Sequence, residues 1–135
     1  MKAKGIFNIK KWEENIVEEI SSVMKTTKAS VEYAFAGEAE GVASVEYFMF
    51  YRCFDSKDPH KSSAVYVGLL KFSGNLSGKE GSFFMEENGS FENGTVNSTL
   101  RIVSGSGLRE LEQISGTGYY HADQDGSRFE LDYNL

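Results

Sequence analysis

Apolar and polar side chains alternate with a period of two along most of this chain. Ala29, Val31, Tyr33 and Phe35 share one face, and Ser30, Glu32, Ala34 and Ala36 share the other, which is the pattern of a half-buried strand. The same reading predicts a first strand over Lys4–Trp12, with Ile6, Asn8, Lys10 and Trp12 opposite Gly5, Phe7, Ile9 and Lys11. Val42–Cys53 places Val45, Tyr47, Met49 and Tyr51 on one face and Phe48 and Phe50 on the other. Its second half is therefore covered twice, once by a core and once by a loop, a terminal segment or another subunit. Ser63–Ser104 reads as three consecutive antiparallel strands: Tyr66–Phe72, then Gly81–Glu86, then the run after the Asn93-Gly94 reversal. Asn-Gly suits a type I′ turn because both central residues there need positive φ. Gly116–His121 and Phe129–Tyr133 form a last hairpin around Asp125-Gly126.

Two stretches depart from this period. Trp12, Ile16, Val17, Ile20, Val23 and Met24 recur at helical spacing, and alone they predict an amphipathic helix over Glu13–Met24 with Glu13, Glu14, Glu18 and Glu19 in water. Leu108, Leu111 and Ile114 predict one short helical turn near 108–113. The polar segment Asp55–Ser62, with Pro59 and His60, reads as a loop. Seven or eight strands with short links either stack as two sheets or close on themselves, and closure removes exposed edges. The expected architecture is all-β: one domain over residues 1–135, a single antiparallel eight-stranded closed barrel. Such a barrel is filled by its own side chains or holds one small ligand.

Composition narrows the function classes. The chain has 135 residues, with ten Phe, seven Tyr, one Trp, fourteen Gly and one Pro, which suits aromatic strands joined by frequent turns. A net charge of −6 disfavours nucleic acid and anionic membrane surfaces as partners, since both are bound through lysine and arginine. Lys10-Lys11 and the interrupted run from Lys25 to Lys28 do not compensate. Cys53 is alone, so no internal disulfide forms, and its position near the end of an aromatic strand suits a small buried hydrophobe. Cys53, His60 and His121 lack the spacing of a zinc site, and no metal or other cofactor is expected. Ser104-Gly105-Ser106-Gly107 reads as turn glycines rather than as a phosphate loop, since no lysine follows it. The start of the chain lacks the apolar run of a signal peptide, so the cytoplasm is the expected compartment.

Several of these stretches together resemble a bacterial family of unknown function whose members are similar to the allene oxide cyclase barrel. The residues that carry it are Tyr66–Leu69, Phe72–Phe83, Val103–Gly107, Gly116–Gly118 and Leu131–Leu135. Gly5–Phe7, Ala29–Val31 and Glu46–Arg52 extend it over nearly the whole chain. The resemblance implies a calycin-like, lipocalin-like barrel, and an extended or irregular connection in place of a helix over 13–24. It also implies a carboxylate within the barrel. Asn8 and Lys10 stand in the first strand where that acid would be wanted, and Leu70 occupies another position where the family often carries one.

Three functional readings follow. The first is a binder of a small, partly apolar molecule, with Trp12, Tyr33, Tyr47, Met49, Tyr51 and Tyr119 as pocket walls and Arg52 at the rim. The second is an isomerase or cyclase using Glu46 or Glu32 as base, with His121 as a further acid or base. Strand alternation sets both acids opposite the tyrosines, so these carboxylates reach a lumen only if the tyrosines do not. The third is a filled barrel acting as a homo-oligomer, dimer or trimer, through the Phe48/Phe50 face.

Overall fold

The computed structural model describes residues Met1–Leu135 as nine strands and a single turn of 3-10 helix at Pro59–Lys61. The strands are β1 (Lys2–Glu19), β2 (Lys25–Gly37), β3 (Ala39–Cys53), β4 (Ser63–Leu76), β5 (Lys79–Glu92), β6 (Thr95–Ile102), β7 (Leu108–Arg109), β8 (Ser115–Asp123) and β9 (Gly126–Asn134). Every pairing is antiparallel. β4 bonds to both β3 and β5, so the order β1-β2-β3-β4-β5-β6-β8-β9 returns to β1 and the pairings form a ring. The ninth strand beyond the expected eight is β7, two residues that pair with β5 at Gly81 and Ser82.

The ring is joined at β1 and β9 over only four residues, Lys2–Gly5 against Asp132–Phe129. One step further the Ser127 hydroxyl accepts from the Phe7 N–H at 3.2 Å and donates to the Phe7 carbonyl at 2.7 Å. Beyond that point β1 has β2 as its sole strand partner.

Three expectations are corrected. The helix over Glu13–Met24 is absent: β1 runs extended to Glu19, and the chain then bends where the Ser21 hydroxyl accepts from the Val23 and Met24 N–H groups. Register irregularities between Ile9 and Lys11 and between Ile16 and Glu18 break the two-residue alternation. Each one moves the inward side chain by one position, so a bulged strand reproduces helical spacing. The helical turn near 108–113 is instead β7 followed by tight turns, in which Leu111 and Ile114 N–H groups bond to Leu108 and Leu111 carbonyls. Leu111 and Ile114 are buried against the core and Leu108 is exposed. Cys53 is exposed rather than buried, because it lies past Tyr51, where the β3–β4 register shifts.

Inside the ring, alternation delivers one row of side chains per strand. Phe35, Ala43, Val45, Leu70, Phe72, Phe83, Met85, Leu100, Ile102, Phe129, Leu131 and Tyr133 fill one half. Phe35 meets Phe129 and Phe72 edge-on at centroid distances of 5.0 and 5.8 Å, geometries that aromatic pairs favour. The other half is not filled, and the boundary between the two is polar.

Candidate functional site

The unfilled half is a cavity of about 260 Å³, and 14 of its 16 lining residues are hydrophobic. β1 supplies Phe7, Ile9 and Trp12, β2 supplies Tyr33, and β3 supplies Tyr47, Met49 and Tyr51. Ala64 and Tyr66 of β4, Phe91, Val96, Tyr120 and Ala122 continue the wall, and Phe54, Pro59 and Ser62 come from the connection between β3 and β4. Small residues at Ala64 and Ala122 leave the space that the aromatic rings surround. No lysine, arginine or histidine lines it.

The floor is a hydroxyl network centred on Glu87, which is 1% exposed. β5 sends Phe83, Met85 and Glu87 inward in succession, so a carboxyl stands where the pattern calls for another apolar group. Tyr47 lies 2.9 and 3.0 Å from the two carboxyl oxygens, Ser98 donates at 2.9 Å, and Tyr120 donates as well. The hydroxyls of Tyr33 and Tyr120 lie 3.0 and 2.9 Å from that of Tyr47, and Tyr66 bonds to Ser98. No buried side-chain polar atom is left without a partner.

Proton counting bears on the charge of this cluster. Six residue pairs are linked: Tyr33–Tyr47, Tyr47–Tyr120, Tyr47–Glu87, Tyr120–Glu87, Ser98–Glu87 and Tyr66–Ser98. Five hydroxyls supply five protons, one each. An ionised Glu87 would leave one oxygen pair facing without a hydrogen between them. A protonated Glu87 supplies the sixth, donating to Tyr47, which donates to Tyr120, which donates back to the other carboxyl oxygen. Burial pushes the Glu87 carboxyl above its ordinary value, against the opposing pull of hydrogen bonds from Tyr120, Tyr47 and Ser98. The count of links and desolvation both favour the protonated form. Burial likewise raises Tyr33 to about 12, and raises Tyr47, Tyr66 and Tyr120.

Two glycines make room for this layer. A Cβ on Gly68 would lie 2.6 Å from the Tyr47 ring, and one on Gly89 would lie 2.4 Å from Tyr66 and from the Ser98 hydroxyl. Each tyrosine thus lies over a glycine of the next strand.

At the rim stands a second inward carboxylate. Glu14 accepts from the Trp12 indole N–H at 3.0 Å, the Thr27 hydroxyl at 2.6 Å and the Tyr51 hydroxyl at 2.7 Å. Burial first, then the hydrogen bond to Glu14, raises the pKa of Tyr51. Lys25 lies 3.5 Å from the centroid of the Phe54 ring and 5.2 Å from that of Tyr51, cation–π contacts with two residues of the wall.

Residues 3–135 match the model of a family described as protein of unknown function (DUF3224). The chain belongs to the DUF3224 family. The crystal structure of a protein of unknown function from the DUF3224 family of Shewanella oneidensis MR-1 has the same fold. It superposes with a TM-score of 0.75, covering 100% of this chain and 97% of that one at 20% sequence identity. No curated protein matches this chain.

In this DUF3224 protein the sequence-predicted residues fall into two groups. Trp12, Tyr33, Tyr47, Met49 and Tyr51 lie together on the cavity wall. Tyr119, Arg52, Glu32, Glu46 and His121 lie outside the ring. Tyr120, not Tyr119, is the inward residue of β8, and Tyr119 is half-buried on the other face. Arg52 is exposed and bonds Glu92 and, at 3.1 Å, the Ser63 hydroxyl. Glu32 is exposed beside Tyr33, and Glu46 accepts from Ser30 on the outer face. His121 follows Tyr120 outward, with Asn97 at 2.8 Å and Asp123 at 3.0 Å. The two acids that turn inward, Glu87 and Glu14, are not among the residues that the sequence singles out for the site. No helix is long and apolar enough to cross a membrane.

Proposed function

We propose that this DUF3224 protein closes as an eight-stranded, calycin-like barrel that binds one small, mostly apolar molecule in its cavity. The supporting observation is the apolar cavity of about 260 Å³ above a fully paired polar floor. Core side chains elsewhere pack closely, and a void this size lined by rings forgoes contacts that a ligand would supply. It exceeds the roughly 150 Å³ apolar cavity that takes up benzene. Two carboxyls bond to its wall tyrosines, Glu87 beneath the floor and Glu14 at the rim, and no cationic side chain lines it. A carboxylate ligand would be buried there without a lining counter-charge, so neutral molecules, or cations that reach Glu14 at the rim, are preferred.

Native mass spectrometry of protein purified from its own host tests this reading. The expected spectrum shows an added mass of a small organic molecule, lost on gentle activation. Ala122→Phe, which fills the cavity, removes that added mass. A bare mass in both proteins across several preparations counts against it.

A further inference from the structure

We propose that the free edge of β1 pairs antiparallel with the same edge of a second copy, and that this pairing completes the cavity wall. From Asn8 to Glu19, β1 is bonded to β2 on one side and has no strand on the other. An open edge this long is a template for another strand, and native sheets cover such edges or blunt them. Nothing within the chain covers this one. Among its charged residues stand exposed apolar ones: Ile9 is 56% exposed, Trp12 42% and Ile16 53%. Ile9 and Trp12 are at once cavity-wall residues and surface residues. The wall is unfinished at this seam, between β1 and the β8–β9 hairpin.

Charge along the edge selects the occupant. Lys10 and Lys11 stand at one end and Glu18 and Glu19 at the other, with Glu14 and Asn15 between them. Directly opposed residues of an antiparallel pair share a face, so the two-fold axis runs through Glu14, which sets Lys10 of each copy against Glu18 of its partner and Trp12 against Ile16. Opposite charges facing across an antiparallel pair stabilise it, and like charges oppose it. Lys10, Glu18 and Glu19 form no ion pair within the chain, so they are free for this. The acids nearest the axis are already held: Glu13 lies 3.4 Å from the Lys11 ammonium, and Glu14 accepts from Trp12, Thr27 and Tyr51. A parallel arrangement would set lysine against lysine.

The pairing does not depend on the binding reading; only its role in closing the cavity does. Sedimentation velocity on the full chain tests it, using a charge swap. Wild type is expected at twice 15.0 kDa. Lys10→Glu with Lys11→Glu places acids at both ends, Glu18→Lys with Glu19→Lys places lysines at both ends, and each variant alone is expected to be monomeric, with self-association at least about 100-fold weaker. Mixed in equal amounts, the two variants are expected to form a heterodimer, with a blue shift of Trp12 emission as its indole leaves water. A wild-type monomer at about 100 μM overturns the proposal. So does a dimer that neither reversal weakens, which would put the interface elsewhere, as at the Phe48/Phe50 face. A mixture that stays monomeric overturns it as well.

Discussion

Glu87→Ala is expected to destabilise the protein by about 3–5 kcal/mol, while Glu87→Gln costs far less. Alanine leaves a void at the centre of the ring and removes the hydrogen-bond partner of Tyr47, Tyr120 and Ser98 at once. Glutamine keeps the shape and, like a neutral acid, both donates and accepts, so all six links survive. The same argument sets the pH dependence. A carboxyl whose folded pKa lies above its ordinary 4.5 holds a proton that the unfolded chain releases. Between those two values the unfolded state binds fewer protons, so stability falls as pH rises. The contribution of Glu87 is thus fully present below pH 4.5 and lost as pH rises through the raised folded value. Urea unfolding of wild type and Glu87→Gln from pH 4.5 upward isolates it, because every other carboxylate cancels in the difference. The wild type is expected to lose stability relative to the variant with rising pH. A flat or opposite difference would mean that Glu87 is ionised in the fold. Glu87→Gln also separates a binder from an enzyme: affinity survives in either case, whereas any turnover that needs the acid proton is lost.

Gly89→Ala is the second large effect, about 2–3 kcal/mol for one added methyl group. That methyl would lie 2.4 Å from Tyr66 and from Ser98, so the ring must swing off its hydroxyl partner. Tyr66 is itself a cavity wall, so binding should weaken together with stability. Combining Gly89→Ala with Tyr66→Leu is expected to cost less than the sum of the two single changes, because the second removes the group that the first displaces. Thermal unfolding of the four proteins measures the coupling. Strict additivity, or a Gly89→Ala variant within about 0.5 kcal/mol of wild type, would show that the glycine is not there to seat the tyrosine.

How much of this was legible depends on what alternation alone can carry. Tyr33, Tyr47, Met49 and Tyr51 were found because β2 and β3 keep an unbroken two-residue period, so parity fixes the face. Glu87 obeys the same parity, following Phe83 and Met85 on one face. Sequence alone hides it, because the predicted strand ends at Glu86 and Asn88-Gly89-Ser90 has the composition of a turn. In the fold Gly89 is a strand residue, kept small for the ring of Tyr66. Tyr119 and Tyr120 are not separable by parity, because glycines at 116 and 118 leave no neighbour to set the phase of that strand. β1 misled most, since two bulges turn its alternation into apparent helical spacing. The turns after β5 and β8 were plain, because Asn93-Gly94 and Asp125-Gly126 are bound to their conformations by local sterics. Ring-like pairing needs one contact distant in sequence, β9 with β1, which lies beyond what successive hairpins imply.

The central claim is that the aromatic cavity is a binding site for a neutral or cationic apolar molecule. Trp12 is the only tryptophan and lies on its wall, so its fluorescence reports occupancy directly. The decisive measurement is a titration with a matched set of small aromatics that differ only in carrying an alcohol, an ammonium or a carboxylate group. Saturable change with the first two, weak or absent with the carboxylate and abolished in Ala122→Phe, is the predicted result. A response that never saturates, or that is the same in Ala122→Phe, would contradict it.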